Sequence, residues 1–354
     1  MQKSEFTAIA AEVPEADWEK ALPIGKFREV QILRVMSRPY SFVGRCKVIG
    51  SDGESVVYIK KYHRKENRSY EHQLEKIRRD VEAAQFWYDH FSGEPQFRVV
   101  NPVLALPEQF LTVTAESTGQ NLYQLTEAHA AYFPKTEVFA RLQTHFRNTG
   151  KWLRFKQEKM RMKDKKYAID ELRDYLIVRL DILCNDPRRQ FPEIFRKKIL
   201  TFIDAQRDLL DDDALLVTTN HSDFNPGNII VDGDTVTVLD FGRLVTGSYL
   251  LDLSKLHFQL ELFTFKPQFR RQTISRLQAA LLHGFGNSGI AHDLMFKFLT
   301  VRNILTHLTN VTRFWQFGAK ERLYNRWVMR REIKMLEQIF AQQSAHSAQK
   351  SATL

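Results

Sequence analysis

The chain has 354 residues, of which 43% are hydrophobic and 27% are charged, and it carries a formal net charge of +10. That length suits two domains or lobes, and the hydrophobic content excludes wholesale disorder. Its two cysteines, Cys46 and Cys184, have no metal-ligand spacing, which excludes a disulfide framework and a zinc site and favours a reducing compartment.

The location and the partners are predicted from apolar segments and charge. The N-terminal residues include acids where a signal peptide needs an uninterrupted apolar segment, so we expect no secretion. No window reaches roughly 18 apolar residues without a charge, so we expect no membrane span. The sequence therefore predicts a soluble, cytoplasmic protein. The net positive charge is compatible with binding to nucleic acid, to an anionic membrane surface or to an anionic substrate. Alternatively, the charge serves solubility alone.

Residues 1–116 are predicted to form a small β-rich lobe. The opening segment reads as a lead-in, because Pro14 and Pro23 interrupt any long helix. Runs rich in β-branched and aromatic residues predict strands at 27–35, 44–49, 55–62, 99–106 and 109–115. Apolar residues at helical spacing predict a helix over residues 70–91. The first three strands form an antiparallel meander, with Lys60 near the end of the third.

Residues 117–341 are predicted to form a larger, mainly helical lobe. Glu116 opens a polar turn that serves as the linker between the lobes. Apolar residues at helical spacing predict helices at 139–155, 167–183, 195–210, 253–265, 270–284, 291–316 and 320–340. The small and polar residues 342–354 are predicted to form a disordered tail.

One stretch, residues 219–252, carries three polar clusters on an apolar framework. The clusters are His221-Ser222-Asp223 followed by Asn228, then Leu239-Asp240-Phe241-Gly242, and then Asp252. An Asp-Gly pair between two β-branched runs predicts a β-hairpin between the first two clusters. The hairpin places Asn228 at the start of one strand close to Asp240 at the end of its partner, as two ligands of one metal ion require. Taken alone, the first cluster is also compatible with an ordinary turn.

These residues and the order of the elements resemble the aminoglycoside phosphotransferase and choline kinase superfamily. There, His-Gly-Asp-x-x-x-x-Asn is followed by Ile/Val-Asp-Phe/Trp and a later aspartate, and Ser222 replaces the usual glycine here. The resemblance covers nearly the whole chain in element order and is specific across residues 219–252. The resemblance extends more loosely to bacterial kinases that phosphorylate sugars of lipopolysaccharide and of other surface glycans. It implies an α+β, two-lobed protein-kinase-like fold and a phosphotransferase that uses ATP and Mg²⁺.

The resemblance implies a role for each polar residue of this stretch. Asp223 would accept the proton of the substrate hydroxyl and orient it for in-line transfer. Asn228 and Asp240 would supply oxygen ligands to Mg²⁺, a hard cation. His221 would tie the catalytic loop to the backbone near Asp240, and Asp252 would brace the same loop.

The resemblance also assigns two residues of the first lobe to the phosphates of ATP. Lys60 would hold the α- and β-phosphates as a point charge, and its neighbour Lys61 is a rival for that role. Glu82 would orient Lys60, and Glu71 and Glu75 are rivals on the same helix.

Two further contacts to ATP are expected from loops. The segment 37–42 would cover the nucleotide, and because it contains no glycine, Ser37 and Ser41 would contact phosphate through their hydroxyls. The backbone over residues 115–117, which includes Glu116, would receive adenine.

The acceptor is predicted from charge. Residues 147–166 contain nine Lys or Arg and two acids, and residues 313–334 add a second basic run with interleaved aromatic residues. These runs favour an anionic small-molecule or glycan acceptor, such as an acidic, phosphorylated or lipid-linked sugar. They also favour peripheral contact with an anionic membrane at its inner face. A solvated helix face is the alternative for either run.

Four other functions are weighed against this one. An aminoglycoside- or choline-type kinase fits the motifs but needs acidic or aromatic groups around a cation. A catalytically weak, kinase-like binding module fits the loop without glycine. Protein kinase activity is disfavoured because no Ala-Pro-Glu segment follows Asp240-Phe241-Gly242. Nucleic-acid binding is disfavoured because no helix-turn-helix, zinc or RNA-binding signature accompanies the charge.

Overall fold

The computed structural model describes residues 3–38, 41–64, 68–242 and 244–352. The chain forms two compact units. The first comprises Met1–Gln124 and Gly227–Leu244, and the second comprises Leu125–Pro226 and Val245–Leu354. The division therefore differs from the predicted boundary at residues 116–117, because the first unit extends to Gln124 and includes the hairpin.

The two units are built from the following elements, numbered in chain order. The helices are α1 Lys3–Ala10, α2 Glu15–Ala21, α3 Tyr70–Phe91, α4 Leu122–His129, α5 Thr136–Lys159, α6 Ile169–Cys184, α7 Ile194–Asp204, α8 Leu251–Phe263, α9 Arg271–Phe285, α10 Leu294–Val311 and α11 Ala319–Ala352. The strands are β1 Phe27–Arg38, β2 Ser41–Gly50, β3 Glu54–Tyr62, β4 Phe97–Val99, β5 Pro102–Leu106, β6 Leu111–Ala115, β7 Gln120–Asn121, β8 Arg161–Lys166, β9 Leu216–Asn220, β10 Ile229–Asp232, β11 Thr235–Val238 and β12 Val245–Ser248.

The first unit contains a five-stranded antiparallel sheet in the order β1-β2-β3-β6-β5. The predicted meander is confirmed, and α3 has the predicted bounds. The predicted loop over residues 37–42 is mostly strand, because Ser37 pairs with Phe42 and Arg38 with Ser41. The two residues between them, Pro39 and Tyr40, lie outside the described residues.

The N-terminal segment is part of the core of this unit rather than a lead-in. Helices α1 and α2 bury Phe6 and Trp18 in one apolar cluster with Val57 and Ile59 of β3. Because side chains alternate along a strand, Lys60 projects from the face opposite to Ile59. The apolar face of the sheet is therefore covered by the opening helices, and Lys60 lies on the other face.

The predicted hairpin is confirmed. Strands β10 and β11 are antiparallel, with Ile229 opposite Val238, and Gly233 of the turn has a φ of 54°. Strand β11 runs parallel to β4, and β10 pairs with β7, which gives a sheet in the order β4-β11-β10-β7. These hydrogen bonds explain why the hairpin groups with the first unit although it follows the helices in sequence.

The second unit is mainly helical, as predicted, and also contains a sheet in the order β12-β9-β8. Strand β8 forms the last six residues of the basic run 147–166, so that run is not one helix face. The sheet positions the loop after Asn220, because β9 pairs with both β8 and β12 and ends at this residue.

Helices α5 and α9 of the second unit pack with their backbones in contact. A Cβ on Gly150 would lie 2.1 Å from the carbonyl oxygen of Leu281, and a Cβ on Gly284 would lie 1.9 Å from that of Arg147. Only glycine permits so close an approach. The two helices are therefore held in a single register.

The last helix is longer than predicted. Helix α11 continues to Ala352, so the predicted disordered tail over residues 342–354 is helical through that residue. The segment is rich in alanine, glutamine and serine and contains neither glycine nor proline, which permits a helix to continue. Among the residues described, no helix has both the length and the apolar character needed to cross a membrane.

Candidate active site

The loop after β9 carries the first predicted cluster, and its backbone is held by Asp252. This residue lies in the first turn of α8 and accepts the N–H of His221 at 2.9 Å and the N–H of Ser222 at 3.0 Å. Ser222 has a φ of 64°, a left-handed conformation that costs a non-glycine residue roughly 1–2 kcal/mol. The two hydrogen bonds offset that cost. They are the contacts that bracing of the loop by Asp252 requires.

Asp252 is itself held by a buried lysine. Lys156 of α5 donates from Nζ to Asp252 Oδ2 and to Asn220 Oδ1, both at 2.9 Å, and both charged side chains are 1% exposed. Burial alone would raise the pKa of Asp252, but the Lys156 ammonium, the His221 ring and the backbone N–H of His221 outweigh burial and lower it. Lys156, counted in the predicted basic run, is therefore an internal partner of Asp252 rather than a surface charge.

His221 is buried and forms a hydrogen bond within the loop. Its Nδ1 accepts the N–H of Asp223 at 3.2 Å, which assigns the ring proton to Nε2. Its ring meets Phe224 edge-on, and Phe224 in turn stacks on Trp152 of α5 with ring centroids 5.4 Å apart. These contacts fit a scaffolding role better than proton transfer.

The carboxylate of Asp223 is exposed and lies next to a lysine that was not predicted. The Asp223 side chain is 61% exposed, and Lys255 donates from Nζ to Asp223 Oδ1 at 2.7 Å and to the carbonyl oxygen of Ser222 at 2.8 Å. Lys255 follows Asp252 by three residues on α8, so one helix face presents both side chains to the loop. That spacing was the available signal in the sequence. An exposed carboxylate on an anchored loop can accept the proton of an approaching hydroxyl.

In the first unit, the predicted phosphate-binding lysine pairs with a predicted metal ligand. Lys60 donates from Nζ to Asp240 Oδ1 at 2.7 Å. Burial alone would lower the pKa of Lys60, but Tyr62, Asp240 and Asp80 outweigh burial and raise it. Lys60 therefore carries its charge next to Asp240.

Lys61, the rival of Lys60, lies on the opposite face of β3. It forms an ion pair with Glu12 and donates to the carbonyl oxygen of Gln109 at 2.8 Å. Both partners belong to the covered side of the sheet. The geometry therefore favours Lys60 over Lys61 as the candidate phosphate ligand.

The α3 carboxylate that acts on Lys60 is that of Asp80, not that of Glu82 as predicted. Asp80 accepts a hydrogen bond from Lys76 at 2.6 Å, and its attraction contributes to the raised pKa of Lys60. Burial raises the pKa of Asp80, against the opposing pull of Lys76 and Lys60. Glu82 and Lys60 form no ion pair within the part of the chain that the structure describes. Residues two apart point about 200° apart on a helix, so only one of the two acids can face the sheet.

Asn228 and Asp240 lie at neighbouring ends of the hairpin. The N–H of Leu239 donates to the carbonyl oxygen of Asn228 at 2.9 Å, and Asp240 follows with a φ of 60°. Amide and carboxylate oxygens are ligands that suit a hard cation such as Mg²⁺. The described ranges contain no group of three or more His, Cys, Asp or Glu side chains that could hold a metal ion. A cation at Asn228 and Asp240 therefore needs phosphate or water oxygens to complete its shell.

Glu116 and Ser41, the other predicted nucleotide contacts, have partners within the first unit. Glu116 forms a two-point ion pair with Arg45, with N···O distances of 2.6 and 2.9 Å, and its N–H donates to the carbonyl oxygen of Val56 at 3.0 Å. The N–H of Glu116 is therefore not available to adenine. Ser41 is buried in β2 opposite Tyr62, so its hydroxyl is not on a surface that a phosphate can approach.

Part of the chain matches a known family in sequence. Residues 139–289, which include the loop and α8, match the family described as APH, phosphotransferase enzyme family. No curated protein matches the chain in sequence. The match covers part of the second unit together with the hairpin, where the predicted motifs lie.

Several solved structures are similar over nearly the whole chain. The amicoumacin kinase hAmiN, in complex with AMP-PNP, Ca²⁺ and Ami, has a TM-score of 0.52 at 16% identity and covers 96% of each chain. The choline kinase from Cryptosporidium parvum Iowa II has a TM-score of 0.56 at 11% identity, over 96% of this chain and 97% of that chain. The streptomycin–ATP–APH(2″)-IIa ternary complex has a TM-score of 0.53 at 11% identity, over 92% of this chain and 96% of that chain.

These structural similarities show the fold: it is the two-lobed, kinase-like fold that the motifs predicted. The predicted resemblance to the aminoglycoside phosphotransferase and choline kinase superfamily is confirmed. The match of residues 139–289 to the phosphotransferase family supports the prediction of a phosphotransferase with a hydroxyl group as the acceptor. The finer resemblance to kinases of lipopolysaccharide sugars stays a prediction.

Proposed function

We propose that the protein transfers the γ-phosphoryl group of ATP to a hydroxyl of a small molecule or glycan, with Asp223 as the base. One observation carries the proposal: the carboxylate of Asp223 is exposed on a loop whose backbone is fixed by Asp252. The acceptor oxygen bonds to the γ-phosphorus, and the bond from that phosphorus to the β–γ bridging oxygen breaks. The hydroxyl proton passes to Asp223, and ADP leaves with the bridging oxygen.

Residues of the first unit supply the proposed contacts to nucleotide and metal. The similar amicoumacin kinase was solved with AMP-PNP and Ca²⁺, which supports ATP and a divalent cation for this chain. We assign Lys60 to the phosphates and Asn228 and Asp240 to the cation, which we propose is Mg²⁺ because the donors are oxygens. Such a cation, when bound, neutralises charge on the transferring group. Asp80 takes the orienting role expected of Glu82.

The proposed acceptor is an anionic sugar of lipopolysaccharide or of another cell-surface glycan, free or lipid-linked. Support comes from Lys255, because an ammonium group at Asp223 attracts an anionic acceptor and repels a polycationic one. The basic run 147–166 gives less support than expected, since Lys156 is buried and Lys166 pairs with Asp212. An aminoglycoside-type acceptor is the alternative, because one of the similar structures contains streptomycin.

The test is Mg²⁺-dependent release of ADP by the full chain against acidic, phosphorylated and lipid-linked sugars, aminoglycosides and choline. We expect turnover with an anionic sugar and a loss of at least about 100-fold in the Asp223→Asn variant. The matched control is Asp234→Asn, which makes the same change at an exposed aspartate in the hairpin turn and should retain wild-type turnover.

The outcomes separate the parts of the proposal. Equal turnover by the wild type and the Asp223→Asn variant contradicts the assignment of the base. Turnover confined to aminoglycosides or choline contradicts the anionic acceptor and leaves the phosphotransferase chemistry intact. Binding of ATP without turnover of any acceptor identifies a binding module instead of an enzyme.

A further inference from the structure

Helix α11 has one face packed against the rest of the second unit. Successive residues of an α-helix are rotated by about 100°, so residues three, four, seven and eight apart share a face. The packed face consists of buried residues at this spacing: Val328, Met329, Glu332 and Leu336. Glu332 also accepts a hydrogen bond from His307 of α10 at 2.7 Å. These contacts fix which side of α11 is turned outward.

The exposed side of α11, next to the packed face, carries three large apolar side chains. They are Leu323, Tyr324 and Trp327, with exposed fractions of 72%, 45% and 39%. The rings of Tyr324 and Trp327 are 5.9 Å apart, and Trp327 meets Phe265 edge-on at 5.8 Å. Large apolar side chains grouped on one exposed helix face are a feature of interaction surfaces.

Basic side chains lie among these apolar residues. From Ala319 to Arg331 the helix carries one acid, Glu321, and these basic residues: Lys320, Arg322, Arg326, Arg330 and Arg331. The guanidinium of Arg331 lies 5.6 Å from the ring centroid of Trp327, so positive charge and aromatic surface are adjacent. Apolar and positive side chains are therefore interleaved on the exposed side of the helix.

We propose that this exposed side of α11 binds the surface of an anionic phospholipid bilayer. The helix would lie in the plane of the interface, with Leu323, Tyr324 and Trp327 at the boundary of the acyl chains and the basic side chains among the headgroups. Charge complementarity selects this partner, because the basic side chains match anionic headgroups while Leu323, Tyr324 and Trp327 match the lipid. The inference does not depend on the phosphotransferase reaction.

Nucleic acid fits the same surface less well. A phosphate backbone is recognised by cations, and unpaired bases stack on aromatic rings, so Arg326, Arg330 and Trp327 would serve either partner. Leu323 decides between them. This aliphatic side chain is 72% exposed, and contact with a phosphate backbone would not bury its apolar surface. Insertion into a bilayer would remove that surface from water, which is favourable.

The test is flotation of the full chain with phosphatidylcholine vesicles that contain either no charged lipid or about 30 mol % phosphatidylglycerol, in about 0.1 M salt. We expect recovery with the anionic vesicles and little with the neutral ones. The variant Leu323→Ser/Trp327→Ser should reduce the partition coefficient at least about tenfold. The variant Arg326→Gln/Arg330→Gln should reduce it about 25-fold, since each basic residue contributes about fivefold.

The matched control is Val178→Ser/Leu209→Ser, which removes two other exposed apolar side chains of the second unit and should float like the wild type. Thermal unfolding of every variant shows that the fold is retained. Equal recovery with neutral and anionic vesicles overturns the proposal, and so does wild-type flotation of the Leu323→Ser/Trp327→Ser variant. Retention on RNA without flotation identifies nucleic acid instead. A dimer in solution that is lost in the Leu323→Ser/Trp327→Ser variant identifies a second copy of the chain.

Discussion

Replacement of Lys156 by methionine removes an ammonium group from the interior of the second unit and leaves the Asp252 carboxylate buried beside it. Breaking a buried ion pair by removing one partner costs about 3–5 kcal/mol, because the remaining charge is neither solvated nor paired. Asn220 loses its closer donor as well but keeps the longer hydrogen bond from Thr218 Oγ1 at 3.4 Å, so its side chain adds little to that cost. Methionine fills most of the volume of the lysine side chain, so little is added for a cavity.

The expected loss in the free energy of unfolding is therefore about 3–5 kcal/mol for the second unit. For a unit of this size, that corresponds to a fall in Tm of about 10 °C. Chemical denaturation and calorimetry measure both quantities. The matched control is Lys151→Met, the same change at an exposed position of α5, and it should stay within about 0.5 kcal/mol of the wild type.

A second variant identifies the cause. The Lys156→Met/Asp252→Asn variant removes both charges and should recover part of the lost free energy, because no unpaired charge stays buried. A Lys156→Met variant within about 1 kcal/mol of the wild type would refute the reasoning, since Asp252 would then have found a proton or a solvating group at little cost.

Two further predictions concern the nucleotide lysine and stability in acid. In steady-state kinetics, Asp80→Asn should raise the KM for ATP about tenfold, because the attraction of Asp80 contributes to the raised pKa of Lys60. The Glu82→Gln change should leave the KM for ATP unchanged. Equal effects of the two changes would contradict this prediction. Burial lowers the pKa of His257 from 6.5 to about 4, so the native state resists its protonation. The free energy of unfolding should therefore fall by up to about 3 kcal/mol as the pH drops from 6.5 to 4, and His257→Phe should remove that slope in denaturation measured against pH.

Much of the fold was predictable because it depends on local signals. Helix α3 has the predicted bounds since its apolar residues keep helical spacing throughout, and the hairpin follows from one Asp-Gly pair between β-branched runs. Strand β8 was not predictable in this way. Five of its six residues are charged, and it is a strand because it pairs with β9, which lies more than forty residues later in the chain.

The candidate site was predictable in its motif and not in its supporting contacts. Asp223, Asn228 and Asp240 are identifiable because their chemistry requires fixed residue types at short spacings. Lys156 lies 96 residues before Asp252, so only the packing of α5 against α8 reveals the pair. Asp80 was not among the acids of α3 that the sequence offered as partners of Lys60, since spacing along α3 does not show which side of the helix faces the sheet.

Lys156 lies on α5, and the backbone contact between α5 and α9 determines the position of its side chain along the axis of α5. Gly150 precedes Lys156 by six residues, or about 9 Å along the helix. Because Gly150 and Gly284 leave no space for a Cβ, α5 can neither slide nor rotate without a collision between main chains. The position of the ammonium at Asp252, and with it the conformation of the loop that bears Asp223, is thus set by two residues that have no side chain. Alignment of the proposed base is in this respect a property of helix packing.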